Sequence, residues 1–282
     1  MNPIEQVTLA FQALRHTIPQ LWRGRLWVWA LPLAAVECAV VASLWHAAHP
    51  WVSWFMAPLL LRFGGADTLH YPRMFELMPA IYERADLVIG AILGSIAIGA
   101  ATPVFAARFR GEALRPLPAL VAAFRRAPDF VLVLLPFNLL LFALSSAADF
   151  WLAHRAAGGI VGRALPLVVT AGSLALQAAF FYAASLVALE GHSAWAALRR
   201  LPGTWRPGYL AAFLVSATTL LLLTPIHTPG VTASLLVERG TPELAGLLTL
   251  LHVLAGLLTG FILTGAATLL YLSVVRGPGE RA

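Results

Sequence analysis

Six stretches of this sequence are each apolar over about 20 residues, the length of helix that crosses the hydrocarbon core of a bilayer. In the whole chain 60% of the residues are hydrophobic and 11% are charged, whereas about a quarter are charged in water-soluble domains. Lipid is therefore expected to be the main solvent. We predict an all-α fold, a polytopic bundle of six transmembrane helices. The predicted spans are 26–45, 87–107, 130–148, 165–189, 209–226 and 247–275.

The arginines predict which side of the membrane each loop occupies. All 19 basic residues are Arg, and thirteen of them fall in the segments on the side of the N-terminus. Because positively charged loops stay in the cytoplasm, we expect a multi-pass protein of the bacterial inner membrane with both termini cytoplasmic. This topology also explains the net charge of +6. The expected partners are membrane lipids and other membrane subunits, with no nucleic acid.

A short phrase recurs in the second half of every even-numbered span. The segments 94–102, 172–180 and 260–268 align without gaps, with coincident Gly and Ala positions. The alignment predicts one membrane domain, 1–282, built from three repeated helix pairs of about 1–112, 113–190 and 191–282. Glycines repeated on one face let helix backbones approach closely, so we expect the even-numbered helices to share a common centre.

A basic amphipathic lead-in precedes each outward span. In the first unit, apolar residues recur at helical spacing, and a second stripe runs from Leu114 to Phe124. Such a helix either lies in the head-group plane with its apolar side in lipid, or docks on the cytoplasmic end of the bundle. The first stripe consists of Val7, Phe11, Leu14, Ile18 and Leu21.

Glu37 lies midway along the first span, and an ionisable side chain at that depth is a candidate functional group because leaving it unpaired in hydrocarbon is costly. Proton coupling would use such a group. The alternative is a paired carboxyl facing the bundle interior near Asn138 or Gln177. Asp86 and His252 stand eight residues before the aligned Gly of their segments, which predicts a polar ring near the outer face.

Three histidines are weak candidates for a metal site. His46 and His49 are three residues apart, and His70 follows in the outer loop; some zinc sites use such spacing. No second dense pair of ligands accompanies them, so histidines at the membrane interface are the preferred interpretation. We expect no metal and no cofactor.

Two glutamates mark matching cytoplasmic exits of the even-numbered spans. Glu112 and Glu190 both lie beside arginine clusters. One interpretation is that they pair with these arginines and fix the turn into the next lead-in. The other is a polar site for lipid head groups or substrate. The neighbouring arginines are Arg125, Arg126, Arg199 and Arg200.

The segment from Glu190-Gly191 through Ala197-Leu198-Arg199-Arg200 to Trp205-Arg206 resembles the membrane region attached to some bacterial glycerophosphodiester phosphodiesterases, and similar six-span proteins that stand alone. The resemblance covers residues 165–225. It implies a membrane architecture without phosphodiesterase activity, because the catalytic barrel of those enzymes is a separate domain.

The sequence contains no recognisable catalytic triad or phosphate-binding loop, so we expect a protein that is not an enzyme. The leading hypothesis is a scaffold, assembly factor or accessory subunit of a membrane complex. The alternative is a transporter or channel with a polar site near Glu37. A lipid-interacting or lipid-modifying protein ranks third.

Overall fold

A computed structural model describes residues 1–47, 49–65, 70–154, 160–223 and 229–275. These residues are helical and contain no strand. Between α-helices lie two 3-10 segments, Ile18–Trp22 and Gly24–Ala30, and a π-helical turn, Gly90–Gly94. A second π-helical turn, Tyr271–Val275, follows the last α-helix. The α-helices are α1 (Pro3–Thr17), α2 (Leu31–Trp45), α3 (Pro50–Gly64), α4 (Met74–Ile89), α5 (Ser95–Phe109), α6 (Pro116–Arg125), α7 (Ala127–His154), α8 (Ile160–Phe180), α9 (Ala183–Glu190), α10 (Ala194–Leu223), α11 (Pro229–Glu238) and α12 (Glu243–Leu270).

Five helical stretches in the described part of the chain are long and apolar enough to cross a membrane. In Ala164–Glu190 most residues before Tyr182 are only partly buried, and apolar side chains such as Leu167 and Val168 are exposed. Such a surface is stable in lipid and unfavourable in water. The chain is therefore a helical membrane protein. The other four stretches are Gly24–Trp45, Met74–Phe109, Ala127–Ala147 and Glu243–Val274.

The sixth predicted span, 209–226, is not among these five stretches. Its first part lies on α10, which also contains Arg199, Arg200 and Arg206, and residues 224–226 lie outside the described part of the chain. The count of six and the three repeats remain predictions. The aligned segment 260–268 is followed eight residues later by Arg276-Gly277-Pro278, which also lies outside the described residues.

The chain divides into two compact units. Unit 1 consists of Met1–Trp29, Gly94–Leu220 and Phe261–Ala282, and unit 2 consists of Ala30–Leu93 and Leu221–Gly260.

Unit 2 has a continuous apolar core to which α2, α3, α4, α11 and α12 all contribute. The indole of Trp45 packs so closely on Gly246 that a Cβ there would lie 2.5 Å from the ring. Outside this core, the Tyr71 hydroxyl donates to Glu243 Oε1 at 2.7 Å, and this hydrogen bond raises the pKa of Tyr71. The core residues are Val41, Leu44, Ala47, Met56, Leu60, Met74, Phe75, Met78, Tyr82, Ala233, Ala245 and Val253.

Unit 1 packs α5 against α6, α7 and α9. Gly99 lies under the ring of Phe130, where a Cβ would come within 2.6 Å of the ring carbons. The ring of Phe261 stacks on Trp27 at 4.6 Å and meets Phe105 edge-on at 4.9 Å. Close backbone approach and aromatic packing thus hold this unit together.

Helix α1 begins at a capping box, in which the Asn2 side chain accepts from the Ile4 N–H and the Glu5 carboxylate accepts from the Asn2 N–H. Its two faces have different environments. Leu14, from the predicted stripe, is buried in the face that packs on unit 1, while Val7, Phe11 and Ile18 are exposed. The helix therefore docks on the protein and also leaves an apolar face open. The buried face comprises Gln6, Ala10, Ala13, Leu14 and Thr17.

Gln6 fixes α1 to α10. Its side-chain oxygen accepts from the N–H groups of Leu210 and Ala211 at 3.1 and 3.4 Å, shortly after Pro207 inside α10. A proline within a helix disturbs the backbone hydrogen bonds around it, and neighbouring groups then supply the missing partners.

We predict that Gln6→Leu lowers the free energy of unfolding by about 1–3 kcal/mol, because two buried N–H groups lose an acceptor. The measurement is denaturation of the purified protein in mild detergent. Gln12→Leu, an identical change at an exposed position of the same helix, should alter stability by less than about 0.5 kcal/mol. Equal effects of the two substitutions would contradict this role of Gln6.

Candidate functional site

Unit 2 contains two neighbouring carboxyl groups. Glu37 projects from α2 and is only 5% exposed, and its carboxyl group lies close to that of Asp86 on α4. Both residues belong to helical stretches that are long and apolar enough to cross a membrane. The partner that the structure gives to Glu37 is therefore another acid.

An aromatic side chain lies beside this carboxyl pair. Tyr82 precedes Asp86 by one helical turn and is buried. The His252 imidazole on α12 meets the Tyr82 ring edge-on, with 5.9 Å between the ring centroids. Asp86 and His252, which occupy equivalent positions in the sequence alignment, thus lie in one neighbourhood of unit 2. For the aligned segment 172–180, Arg163 is one residue away from the equivalent position, and its side chain lies outside the described part of the structure.

The pairing has a direct chemical consequence. A carboxylate only accepts hydrogen bonds, whereas a protonated carboxyl also donates one. Glu37 and Asp86 can therefore be hydrogen-bonded to each other only while at least one of them holds a proton. Two ionised carboxylates in this position would repel each other in a poorly polarisable environment. The arrangement is able to bind and release one proton.

The two amides proposed as partners of Glu37 belong to unit 1, whereas Glu37 belongs to unit 2. Asn138 donates from Nδ2 to the Leu134 carbonyl on its own helix at 3.1 Å. Gln177 lines an apolar cavity of unit 1 with about 500 Å³ of empty space. All three aligned segments contribute to this cavity. They provide Ile98, Gln177, Phe180, Leu263, Thr264 and Ala267.

A second polar cluster lies in unit 1, where α9 ends. One Glu190 carboxylate oxygen is 2.9 Å from His192 Nε2 and 3.8 Å from Arg200 Nη1. The other oxygen accepts a hydrogen bond from the Tyr271 hydroxyl. Arg200 Nη1 also lies 2.6 Å from His192 Nε2. One carboxylate thus brings together groups from the α9–α10 turn, α10 and the segment after α12.

Arg126 binds the same turn through its guanidinium group. Its guanidinium donates to the carbonyls of Val187, Gly191 and His192 at 3.1, 3.4 and 2.8 Å. It also contacts the Asp129 carboxylate at 3.3 Å.

Asp129 binds the start of helix α10. Its Oδ1 accepts from the Ala194 N–H, at the first residue of α10, at 3.1 Å. A carboxylate at a helix N-terminus satisfies a free N–H and interacts favourably with the helix dipole. Arg126 and Asp129 therefore act together on the segment 187–194.

The other predicted polar residues lie elsewhere. Arg125 is exposed, and the Arg199 guanidinium lies 5.0 Å from the ring centroid of Trp195, one turn earlier on α10. Glu112 is on the exposed turn after α5, where it borders a cavity together with Arg108. The two glutamates at matching sequence positions thus have different surroundings, since only Glu190 is enclosed by cationic and phenolic donors.

The candidate metal ligands are distributed over separate helix ends. His46 follows α2, with Nδ1 2.9 Å from the Ala42 carbonyl oxygen, His49 precedes α3, and His70 precedes α4. All three are exposed. Across the described residues, no group of three or more His, Cys, Asp or Glu side chains is placed to hold a metal ion.

Comparison of the chain with protein-family models, with curated proteins and with solved structures finds no match.

We predict that Arg126→Gln releases the α9–α10 turn, because three backbone carbonyls and Asp129 lose a charged donor. The expected loss is about 1.5–3 kcal/mol of stability, together with faster proteolysis between Gly191 and Ser193. Denaturation in detergent and limited proteolysis measure the two effects. Arg125→Gln, at the exposed neighbouring arginine, is the control; comparable proteolysis of both variants would contradict this assignment.

Proposed function

We propose that this protein is a proton-coupled transporter of the bacterial inner membrane, with the Glu37–Asp86 pair as its proton-binding site. The observation that carries the proposal is the close approach of two acidic side chains from different helices, of which Glu37 is only 5% exposed. Ionisable groups within membrane helices are costly and mark ion and proton pathways. This geometry favours the transporter hypothesis over the scaffold that leads on sequence alone.

The protonation state of the pair would control how α2 and α4 interact. With one shared proton the two carboxyls attract each other through a hydrogen bond. Without it, two negative charges face each other at low dielectric, and the helices repel. Loss and uptake of one proton thereby bias two arrangements of the same helices, which is what coupling to a conformational step requires.

The proposal includes six spans with cytoplasmic termini and three repeated helix pairs. The repeats are supported by the cavity of unit 1, which is lined by all three aligned segments. Repeated helices are expected to share a common centre. Internal repeats are common in transporters, whose binding sites lie at repeat interfaces. The sixth span would follow Pro207 on α10, where the arginines end and the sequence becomes apolar.

The first test measures the proton itself. Glu37→Gln and Asp86→Asn should each remove the infrared carbonyl band of a protonated carboxyl, because an amide of the same shape carries no dissociable proton. Spectra of the protein in lipid, recorded in acidic and alkaline buffer, measure this band. Glu76→Gln changes an exposed acid on the same helix as Asp86 and is the control. A pH-dependent band that survives both pair substitutions argues against the site.

The second readout of the same variants is proton flux in proteoliposomes loaded with a pH-sensitive dye. We expect flux above that of empty liposomes, reduced at least about tenfold by Glu37→Gln, equivalent to about 1.4 kcal/mol on the barrier. Glu76→Gln should retain the flux. Flux that is the same in wild type and Glu37→Gln would eliminate proton coupling through this pair.

The second candidate function is a scaffold, assembly factor or accessory subunit that binds other membrane subunits. The observation that favours it is the continuous apolar core of unit 2, beside which the carboxyl pair would serve only to join α2 and α4. This hypothesis predicts a stoichiometric protein partner after purification in mild detergent. Persistent recovery of the chain alone would count against it.

A further inference from the structure

Unit 1 contains an open, positively charged cavity that the proposed transport function does not use. Arg23 lines it from between the two 3-10 segments, Arg25 from the second of these segments, and Arg108 from the last turn of α5. Glu112 is the acidic residue of its lining, and the empty space amounts to about 1010 Å³. Three guanidinium groups and one carboxylate therefore share one depression, with a formal excess of positive charge.

A tight turn shapes one wall of this cavity. Helix α5 ends at Phe109, and Gly111 follows it at φ +80, a left-handed conformation that glycine adopts at little cost. The Gly111 N–H donates to the Arg108 carbonyl at 3.1 Å, and the Glu112 N–H donates to the Ala107 carbonyl at 2.9 Å. This pair of hydrogen bonds is a Schellman motif, and it turns the chain back beside Arg108.

The three arginines have no partner for their charge among the described residues. Within the described residues, Arg23, Arg25 and Arg108 form no ion pair and donate no side-chain hydrogen bond. Glu112 likewise forms no ion pair there. A guanidinium group presents a planar set of donors that matches two oxygens of a phosphate. The cavity therefore has the chemistry of a phosphate site.

The cavity lies where polar head groups meet hydrocarbon. The apolar stretch Gly24–Trp45 begins at this cavity, and Met74–Phe109 ends at it. Its lining also includes the apolar side chains of Leu26, Val104 and Leu114. Trp22, one residue before Arg23, is 91% exposed, as is typical of an indole placed at a membrane interface.

We infer that this cavity binds the phosphate head group of an anionic diacyl phospholipid of the phosphatidylglycerol class. The arginines hold the phosphate, and the apolar lining together with the adjoining helix surface accommodates the start of the acyl chains. A lipid is favoured over a free phosphate because polar and apolar lining residues meet in the same cavity. An anionic lipid is favoured over a zwitterionic one because three positive groups face one carboxylate.

The test counts lipids bound to the purified full-length protein by native mass spectrometry after exchange into mixed phosphatidylglycerol and phosphatidylethanolamine. We expect Arg23→Gln, Arg25→Gln and Arg108→Gln together to weaken phosphatidylglycerol retention at least about tenfold, as expected for the loss of charge-assisted hydrogen bonds. The matched control is Arg15→Gln, Arg125→Gln and Arg199→Gln, which removes the same charge from exposed positions of unit 1. This control should retain the lipid.

The following outcomes would each contradict the proposed lipid site. Equal loss in the control variant would mean general charge attraction, and equal retention of phosphatidylethanolamine would remove the preference for an anionic lipid. Displacement by inorganic phosphate at the concentration of the lipid would assign the site to a free anion. If the triple variant does not fold, Arg23→Gln with Arg25→Gln changes two exposed residues, and unchanged retention there rejects the site.

Discussion

Hydrocarbon neither donates nor accepts hydrogen bonds, so every backbone group released by a break in a membrane helix has to find its partner in the protein. Unit 1 meets this constraint with polar side chains at the breaks. The interruption between α8 and α9 lies near the Ala179 carbonyl, which accepts from the Trp205 indole at 2.9 Å. Tyr182, at the interruption itself, donates to the Gly208 carbonyl at 3.0 Å. The bonds that repair broken helices are thus also the bonds that join helices.

The same solvent gives the two polar sites different properties. The partners of Arg126 are carbonyl groups and a carboxylate, so its contacts with the turn need no shared proton. In the proposed function, the Glu37–Asp86 contact depends on a proton that is taken up and released. Unit 1 would then contain a fixed polar clamp, whereas unit 2 would contain a contact whose strength varies with protonation. This contrast is the main physical reason for placing the proposed coupling step in unit 2.

The sequence predicts helices well here because a segment of about 20 apolar residues has few alternatives in lipid. It predicts their ends less well. The stretch Met74–Phe109 extends well before the predicted start at residue 87, because Glu76, Glu83 and Arg84 lower the local hydropathy without stopping the helix. α3 also occupies part of the predicted outer loop. Charge and hydropathy alone do not determine how far a helix continues beyond its apolar centre.

Which polar side chains contact each other is harder to predict than which positions in the sequence are candidates. The alignment singles out Asp86 and His252, and both lie near Glu37 or its aromatic surroundings, but which acid meets which helix depends on packing. The cavity of Arg23, Arg25 and Arg108 was missed because its members are far apart in sequence. A signal was present, since each of them stands at the end of an apolar stretch.

The clamp formed by Arg126 and Asp129 has a consequence for biogenesis. It joins the α6–α7 junction to groups that follow 61 to 66 residues later in the chain. The guanidinium and carboxylate are therefore synthesised well before the backbone that they bind. During insertion, the clamp can therefore close only after the segment 187–194 has been made, so an early hairpin has to wait for a late turn to satisfy its charges.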